Sequence, residues 1–299
     1  KAVLHKLSVI INHGVKVRAG DRAVSWLPYF HDMGLVGLLL VPMACQISVD
    51  FLRTRDFAMR PRLWLKLMSE NRGTISFSPP FGYELAARRL REGEAGFYDL
   101  SNWRVAGVGA EIIRPQTLDY FTEKLSPSGF DSRAFLACYG MAECSLAVSF
   151  GPLAKGMRAD HVYTDQLAEH GKAIQVQPFL NNEDERVSTF VNCGVLMPDY
   201  ESEIRNAEGQ VLQERQCGTL FLRGPSVMSG YYGDFEASRE VLTTDGWLDT
   251  GDLAYMAGAD LFITGRAKDI IIIKGRNIWP QDLEYLADTE PGIRTGDSM

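Results

Sequence analysis

The chain has 299 residues, 45% of them hydrophobic, with a formal net charge of −7 and a pI near 5.4. That is too long for one simple core and suggests one large domain or two to three subdomains. The acidity excludes a general grip on nucleic-acid backbones unless a local basic patch supplies it. The nearest candidate, "AARRLRE" with Arg88, Arg89 and Arg91, reads as the solvated face of a helix.

In chain order, "KAVLHKLSVIINHG" predicts an amphipathic helix whose upstream context is expected to be missing, since it lacks an initiating Met. "AVSWLP" (23–28) reads as a strand and "HDMGLVGLLLVPM" (31–43) as the helix after it. The apolar run from Met33 to Ala44 contains Pro42 and falls well short of the ~20 residues a membrane span needs, so a buried helix is expected there. "ISVDFL" (47–52) follows as a strand, "RPRLWLKLMSEN" (60–71) as an amphipathic helix, and "TISFS" (74–78) as a strand ending at Pro79-Pro80. "YELAARRLRE" (83–92) is helical, "WRVAGVGA" (103–110) is strand-like, "RPQTLDYFTEKL" (114–125) is helical with Pro115 in its first turn, and "AFLACYG" (134–140) is a strand. This alternation over 1–150 is the pattern of an α/β layer on a mainly parallel sheet.

Residues 151–186 show no strong period and read as an insertion. Beyond them the texture becomes β-rich: "STFVNCG", "YESEIRN", "GTLFLRG", "GWLDTGDLAYM" and "ADLFITG" suggest an antiparallel subdomain over 187–267. From Lys268 onward, four isoleucines predict a buried strand, which Pro280 ends before "QDLEYLAD" begins a helix. The five cysteines are scattered without a CxxC pair and the five histidines lack HxxxH or HExxH spacing. Neither a disulfide framework nor a zinc site is indicated, and the composition reads as that of a reduced, cytoplasmic protein.

Several stretches can carry chemistry. In "ACYGMAEC" an aromatic can cover a base, a glycine permits close approach, and Glu143 can hold a hard cation such as Mg²⁺. Taken alone, Glu143 is better read as a helix-start glutamate. "GWLDTGDL" sets Asp252 in a turn where a carboxylate can accept from ribose hydroxyls, although such turns are common for conformational reasons. "VGAEIIRP" offers backbone groups at Gly109, Ala110 and Glu111 to an adenine edge, or forms an ordinary βα loop. In "PYFHDMG", Asp32 suits a helix N-cap and His31 suits a gate beside an apolar wall. "GPSVMSGYYGD" lacks the GK[ST] ending of a Walker A loop and reads as a turn.

The joint order of "SWLPYFHDMGL", "SPPFGYELAARR", "WRVAGVGAE", "CYGMAE", "FVNCG", "GWLDTGDL" and "GRAKDIIIIKGRNIWPQDLE" resembles the adenylate-forming acyl-CoA synthetase superfamily, and within it the fatty acyl-AMP ligases. Ala142-Glu143 stands where that family carries Thr-Glu, and "GRNIWPQD" departs from the CoA-forming pattern. The resemblance implies an α/β fold with a large adenylation domain (1–267) and the start of a small C-terminal domain (268–299). It implies ATP and Mg²⁺ as cofactors, a fatty acid as substrate, and as partner an acyl carrier protein or a carrier domain of a polyketide or nonribosomal peptide synthase. Gly109, Ala110, Glu111, Tyr139, Gly140, Met141 and Ala142 are implied at the adenine site, Asp252 and Arg266 at the ribose, and Ile263 beside the base. Glu143 is implied as metal ligand, His31 between acyl tunnel and carboxylate, and Lys268 as hinge. A phosphate loop upstream of Lys1 and a lysine beyond Met299 are expected to complete the site. Residues 151–186 lie where the family carries a segment that limits use of CoA. An acyl-CoA synthetase and a catalytically incomplete nucleotide-binding module are the competing readings.

Overall fold

The structure is a computed structural model that describes residues 1–176, 187–273 and 276–278, together with 280, 283 and 287. The predicted first helix forms as α1 (Ala2–Val9) and continues through a wider turn over Ile10–Gly14. The strands β1 (Arg22–Ser25), β2 (Ser48–Phe51), β3 (Ile75–Ser78), β4 (Val105–Val108) and β5 (Phe135–Met141) pair in parallel in the order β2-β1-β3-β4-β5. Parallel neighbours need crossover connections. Here these are the helical segments Met33–Leu40 and α2 (Val41–Cys45), then α3 (Thr54–Met59) and α4 (Arg62–Glu70), then α5 (Pro80–Arg88), then α6 (Pro115–Leu125). The short helix α3 had no counterpart in the sequence reading.

After β5 the chain reverses. β6 (Leu146–Phe150) runs antiparallel to β5, with an irregularity between Tyr139 and Gly140. The segment 151–186 holds more structure than its aperiodic sequence suggested: β7 (Ala159–Tyr163) and α7 (Thr164–His170) lie in it, and β7 pairs with β8 (Val187–Val191) as a two-stranded ribbon. The ribbon is legible only across the intervening residues, which is why a local period missed it. β9 (Val195–Leu196) then closes the seven-stranded sheet against β6, so that sheet draws a strand from beyond residue 187. β10 (Glu201–Arg205), β11 (Gly218–Arg223), β12 (Leu248–Ala257) and β13 (Asp260–Arg266) form the expected antiparallel sheet, and α8 (Phe235–Val241) sits between β11 and β12 in sequence. The isoleucine run supplies β14 (Ile271–Ile273), which pairs with β15 (Arg276–Ile278). The helix expected over 281–288 lies largely outside the described residues.

One face of the parallel sheet is packed with aromatic rings. Trp64 is fully buried and meets Trp26, Phe57, Tyr83 and Trp103 edge-on at centroid distances of 5.1–6.3 Å. Its indole N–H donates to Ser76 Oγ at 2.9 Å, and the Tyr83 hydroxyl donates to Gly107 O at 2.9 Å, whereas the buried indole N–H of Trp26 has no hydrogen-bond partner among the described residues. The apolar helix over 33–45 is less covered than its sequence suggested: Leu35 and Met43 are exposed while Met33, Val36, Leu38 and Val41 face inward. Its first turns are wider than α-helical, with Asp32 accepting from Met33 N at 2.7 Å as the N-cap. Gly34 is required there, because a Cβ would come within 2.2 Å of Pro28 O.

A buried cation was not anticipated. Lys6 has no solvent exposure; its ammonium donates to Ala147 O and to the Tyr200 hydroxyl at 3.0 Å and lies 4.5 Å from the Tyr200 ring centre. Burial pulls its pKa down to about 8. Between pH 8 and the ordinary lysine value the unfolded chain therefore holds a proton that the folded chain has released, so stability from this group rises with pH. Urea titrations at pH 8 and pH 10 should show Lys6→Met losing about 2 kcal/mol relative to the parent chain between the two pH values. Parallel pH profiles for the two proteins would show that Lys6 does not titrate as described.

Candidate active site

The C-terminal ends of parallel strands are where ligands meet an α/β sheet, and two cavities open there. The first, about 790 Å³, has an apolar interior that includes Ile10, Val17, Leu38, Val41, Ile75 and Phe77. Its polar residues include His31, Glu143, Tyr231, Arg266 and Lys268. The second, about 610 Å³, is lined by Phe81, Glu111, Thr189, Asp252 and Ile263 among others. Ala110, Cys138, Tyr139, Gly140, Arg266 and Asp269 belong to both, so the two chambers share one wall.

That wall is built by the end of β5. Gly140 lies where β5 and β6 are pressed together, and a Cβ there would come within 2.3 Å of Leu146 O. Ala110, just past β4, takes a left-handed backbone with φ of 69°, an uncommon conformation for a residue with a Cβ. Tyr139 donates its hydroxyl to Asp252 Oδ2 at 2.6 Å, and Asp252 Oδ1 lies 3.3 Å from Arg266 Nε. Burial raises the Asp252 carboxyl above its ordinary value, while Tyr139 and Arg266 pull it back. Burial first, and Asp252 second, raise the Tyr139 phenol well above its ordinary range, which keeps it a donor. Desolvation likewise raises Glu111, against a hydrogen bond from the Phe81 backbone.

Glu143 stands in the first turn of a short 3₁₀ helix, Ala142–Cys144, at the end of β5. Its Oε1 accepts from the Tyr231 hydroxyl at 2.8 Å and its backbone O accepts from Met228 N at 2.7 Å. Among the described residues no three His, Cys, Asp or Glu side chains gather as a metal cage. A single carboxylate at a cavity rim, with water and phosphate oxygens to complete the shell, is the donor set that Mg²⁺ takes in phosphate-handling sites, so Glu143 fits that ion. His31 Nδ1 lies 2.8 Å from Asp32 Oδ1, which ties the ring to the N-cap of the apolar helix.

Of the residues singled out in the sequence, His31, Met141, Ala142, Glu143 and Lys268 line the first cavity, Glu111, Asp252 and Ile263 the second, and Ala110, Tyr139, Gly140 and Arg266 both. Gly109 lines neither; it is buried at the end of β4 against Cys138. Sequence reasoning missed Tyr231 by treating "GPSVMSGYYGD" as a turn alone. The available signal was a pair of tyrosines in a glycine-rich loop.

The family model described as "AMP-binding enzyme" matches residues 1–232. The chain belongs to the AMP-binding enzyme family. This AMP-binding enzyme is 48% identical over 298 residues to a protein of Caulobacter vibrioides named a putative acyl-CoA synthetase, matching 99% of this chain and 51% of that protein. It is 35% identical over 283 residues to a medium-chain-fatty-acid–[acyl-carrier-protein] ligase of Moorena producens, matching 91% of this chain and 47% of that ligase. Among solved structures it resembles a fatty acyl-adenylate ligase from a study of the E. coli and L. pneumophila enzymes, with a TM-score of 0.93 and 53% identity over 99% of this chain and 52% of that one. Within the family it thus resembles the fatty acyl-AMP ligases. The chain spans about half the length of the curated relatives it matches.

Proposed function

We propose that this AMP-binding enzyme activates a fatty acid as acyl-AMP, using ATP and Mg²⁺, and passes the acyl group to the phosphopantetheine thiol of a carrier protein in the cytoplasm. The observation that carries the reading is the shared wall: a chamber with an aliphatic interior at Ile10, Leu38 and Val41 and a second one holding Glu111 and Asp252 meet at Ala110, Tyr139 and Gly140. An alkyl chain in the first and a nucleoside in the second bring a carboxylate and an α-phosphate together beside Glu143. A carboxylate oxygen then bonds to the α-phosphorus as the bond to the bridging oxygen breaks and pyrophosphate leaves. Mg²⁺, when bound, neutralises charge on the phosphates. The chain's own groups orient the reactants: Asp252 and Arg266 hold the ribose, Tyr139 and Ile263 flank the base, and His31 stands at the carboxylate end of the apolar chamber. In the second half-reaction the carrier thiolate attacks the acyl carbonyl and AMP leaves. Lys268 serves as the hinge between the large domain of residues 1–267 and the small domain beginning after it.

Calorimetry with a non-hydrolysable acyl-AMP mimic tests the first half: the mimic should bind more tightly than AMP or the fatty acid alone. No gain from joining the two would refute the shared-wall argument. The name borne by the Caulobacter relative favours a second reading, transfer to CoA. Offering synthetic acyl-AMP with a phosphopantetheinyl carrier or with free CoA decides between them, and preferential CoA thioester formation would establish the second.

A further inference from the structure

The loop between β11 and α8 has no role in the reading above, yet it reaches the residue on which the metal chemistry depends. It touches Glu143 twice, through Met228 N on the backbone O and through the Tyr231 hydroxyl on Oε1. The loop is itself anchored. Ser226 Oγ donates to Ala2 O at 3.1 Å and lies 3.1 Å from His5 Nδ1, both on α1, and Ser145 Oγ donates to Ser226 O at 3.3 Å. At its other end Tyr231 N donates to Ser238 Oγ at 2.8 Å, and Asp234 caps α8 through Ala237 N at 3.0 Å. The phenol is thus delivered by a segment pinned on both sides, which removes most of the freedom that would otherwise be lost on aiming it.

We infer that Tyr231 is a positioning residue for Glu143: by occupying Oε1 it sets the carboxylate rotamer and leaves Oε2 directed to a divalent cation at the cavity rim. This rests on the acyl-AMP reading, because only a nucleotide's phosphates would complete the shell around that ion. An outer partner of this kind typically governs metal affinity by ~10–100-fold. Tyr231 lines the first chamber, and Tyr231→Phe keeps its ring there and removes only the hydroxyl, so the chamber and the Tyr139–Asp252–Arg266 group should stay as they are.

The experiment measures ATP affinity with and without Mg²⁺ by calorimetry, for the parent chain, Tyr231→Phe, Glu143→Gln and the double variant, beside affinity for the acyl-AMP mimic and the melting temperature. Tyr231→Phe should cut the Mg²⁺-dependent gain in ATP affinity about tenfold or more. It should leave mimic binding and melting temperature unchanged, and the double variant should match Glu143→Gln alone, because one residue acts through the other. A full Mg²⁺ gain in Tyr231→Phe, additive losses in the double variant, or no Mg²⁺ gain in the parent chain would each overturn the assignment. A parallel fall in mimic binding and melting temperature would show a merely structural tyrosine and overturn it too. Failure of the parent chain to bind the mimic at all would instead defeat the acyl-AMP reading.

Discussion

Replacing Asp252 by alanine should weaken binding of an acyl-AMP mimic by roughly two to four orders of magnitude. The carboxylate is buried and sits between Tyr139 and Arg266 on the second chamber's side of the shared wall. If Asp252 holds the ribose as proposed, two charge-assisted hydrogen bonds to its hydroxyls are lost, each worth about 1.5–3 kcal/mol. Alanine also leaves the Tyr139 hydroxyl without its acceptor, Asp252 Oδ2. Calorimetry on the two proteins measures the loss directly, and equal affinities would remove Asp252 from the ribose. Asp252→Asn is the informative companion, since it keeps the shape and an acceptor while removing the charge.

The second large effect concerns stability. Trp64→Ala should cost about 3–5 kcal/mol, read as a fall in the urea midpoint at unchanged slope. The indole is at the centre of the aromatic layer over β1, β3 and β4, so its removal opens a cavity that Trp26, Phe57, Tyr83 and Trp103 can only partly fill. It also strips Ser76 Oγ of its donor, although that hydroxyl keeps its own bond to Val24 O at 2.6 Å. The folded fraction should still bind the mimic, because Trp64 itself lines neither cavity and Trp26 stands between it and Phe81 of the second. A loss under 1 kcal/mol would mean that the rings close over the gap.

How much of this was legible in the sequence follows from the range over which each signal acts. The parallel half declared itself because each strand there is a short apolar run ending at a turn, and each helix carries its own stripe, as Trp64, Leu65 and Met68 do in α4. β7 did not, because "ADHVY" becomes a strand only through its partner Val187–Val191, more than twenty residues on. Lys6 drew no reading of its own within the amphipathic first helix. Nothing near it in sequence announces Ala147 and Tyr200, which make its burial tolerable. At the site, Tyr139, Gly140, Glu143 and Asp252 stood out through motifs of a few residues. Tyr231 did not, since its meaning lies in a contact with Glu143 across 88 positions. Gly109 was drawn in with Ala110 and Glu111 by "VGAEIIRP"; it lines neither cavity and packs against Cys138.

The single wall between the two chambers has a consequence for inhibition. A small molecule confined to either side has only that side's contacts with which to offset its lost freedom of tumbling, and on its own binds weakly. Once two such fragments are joined across Tyr139 and Gly140 by a linker of matched length, the second docks at an effective concentration in the millimolar range or higher. The gain then depends on the span and stiffness of the linker far more than on any added contact, so a rigid two-atom bridge and a floppy six-atom one carrying the same end groups should differ in residence time on the protein.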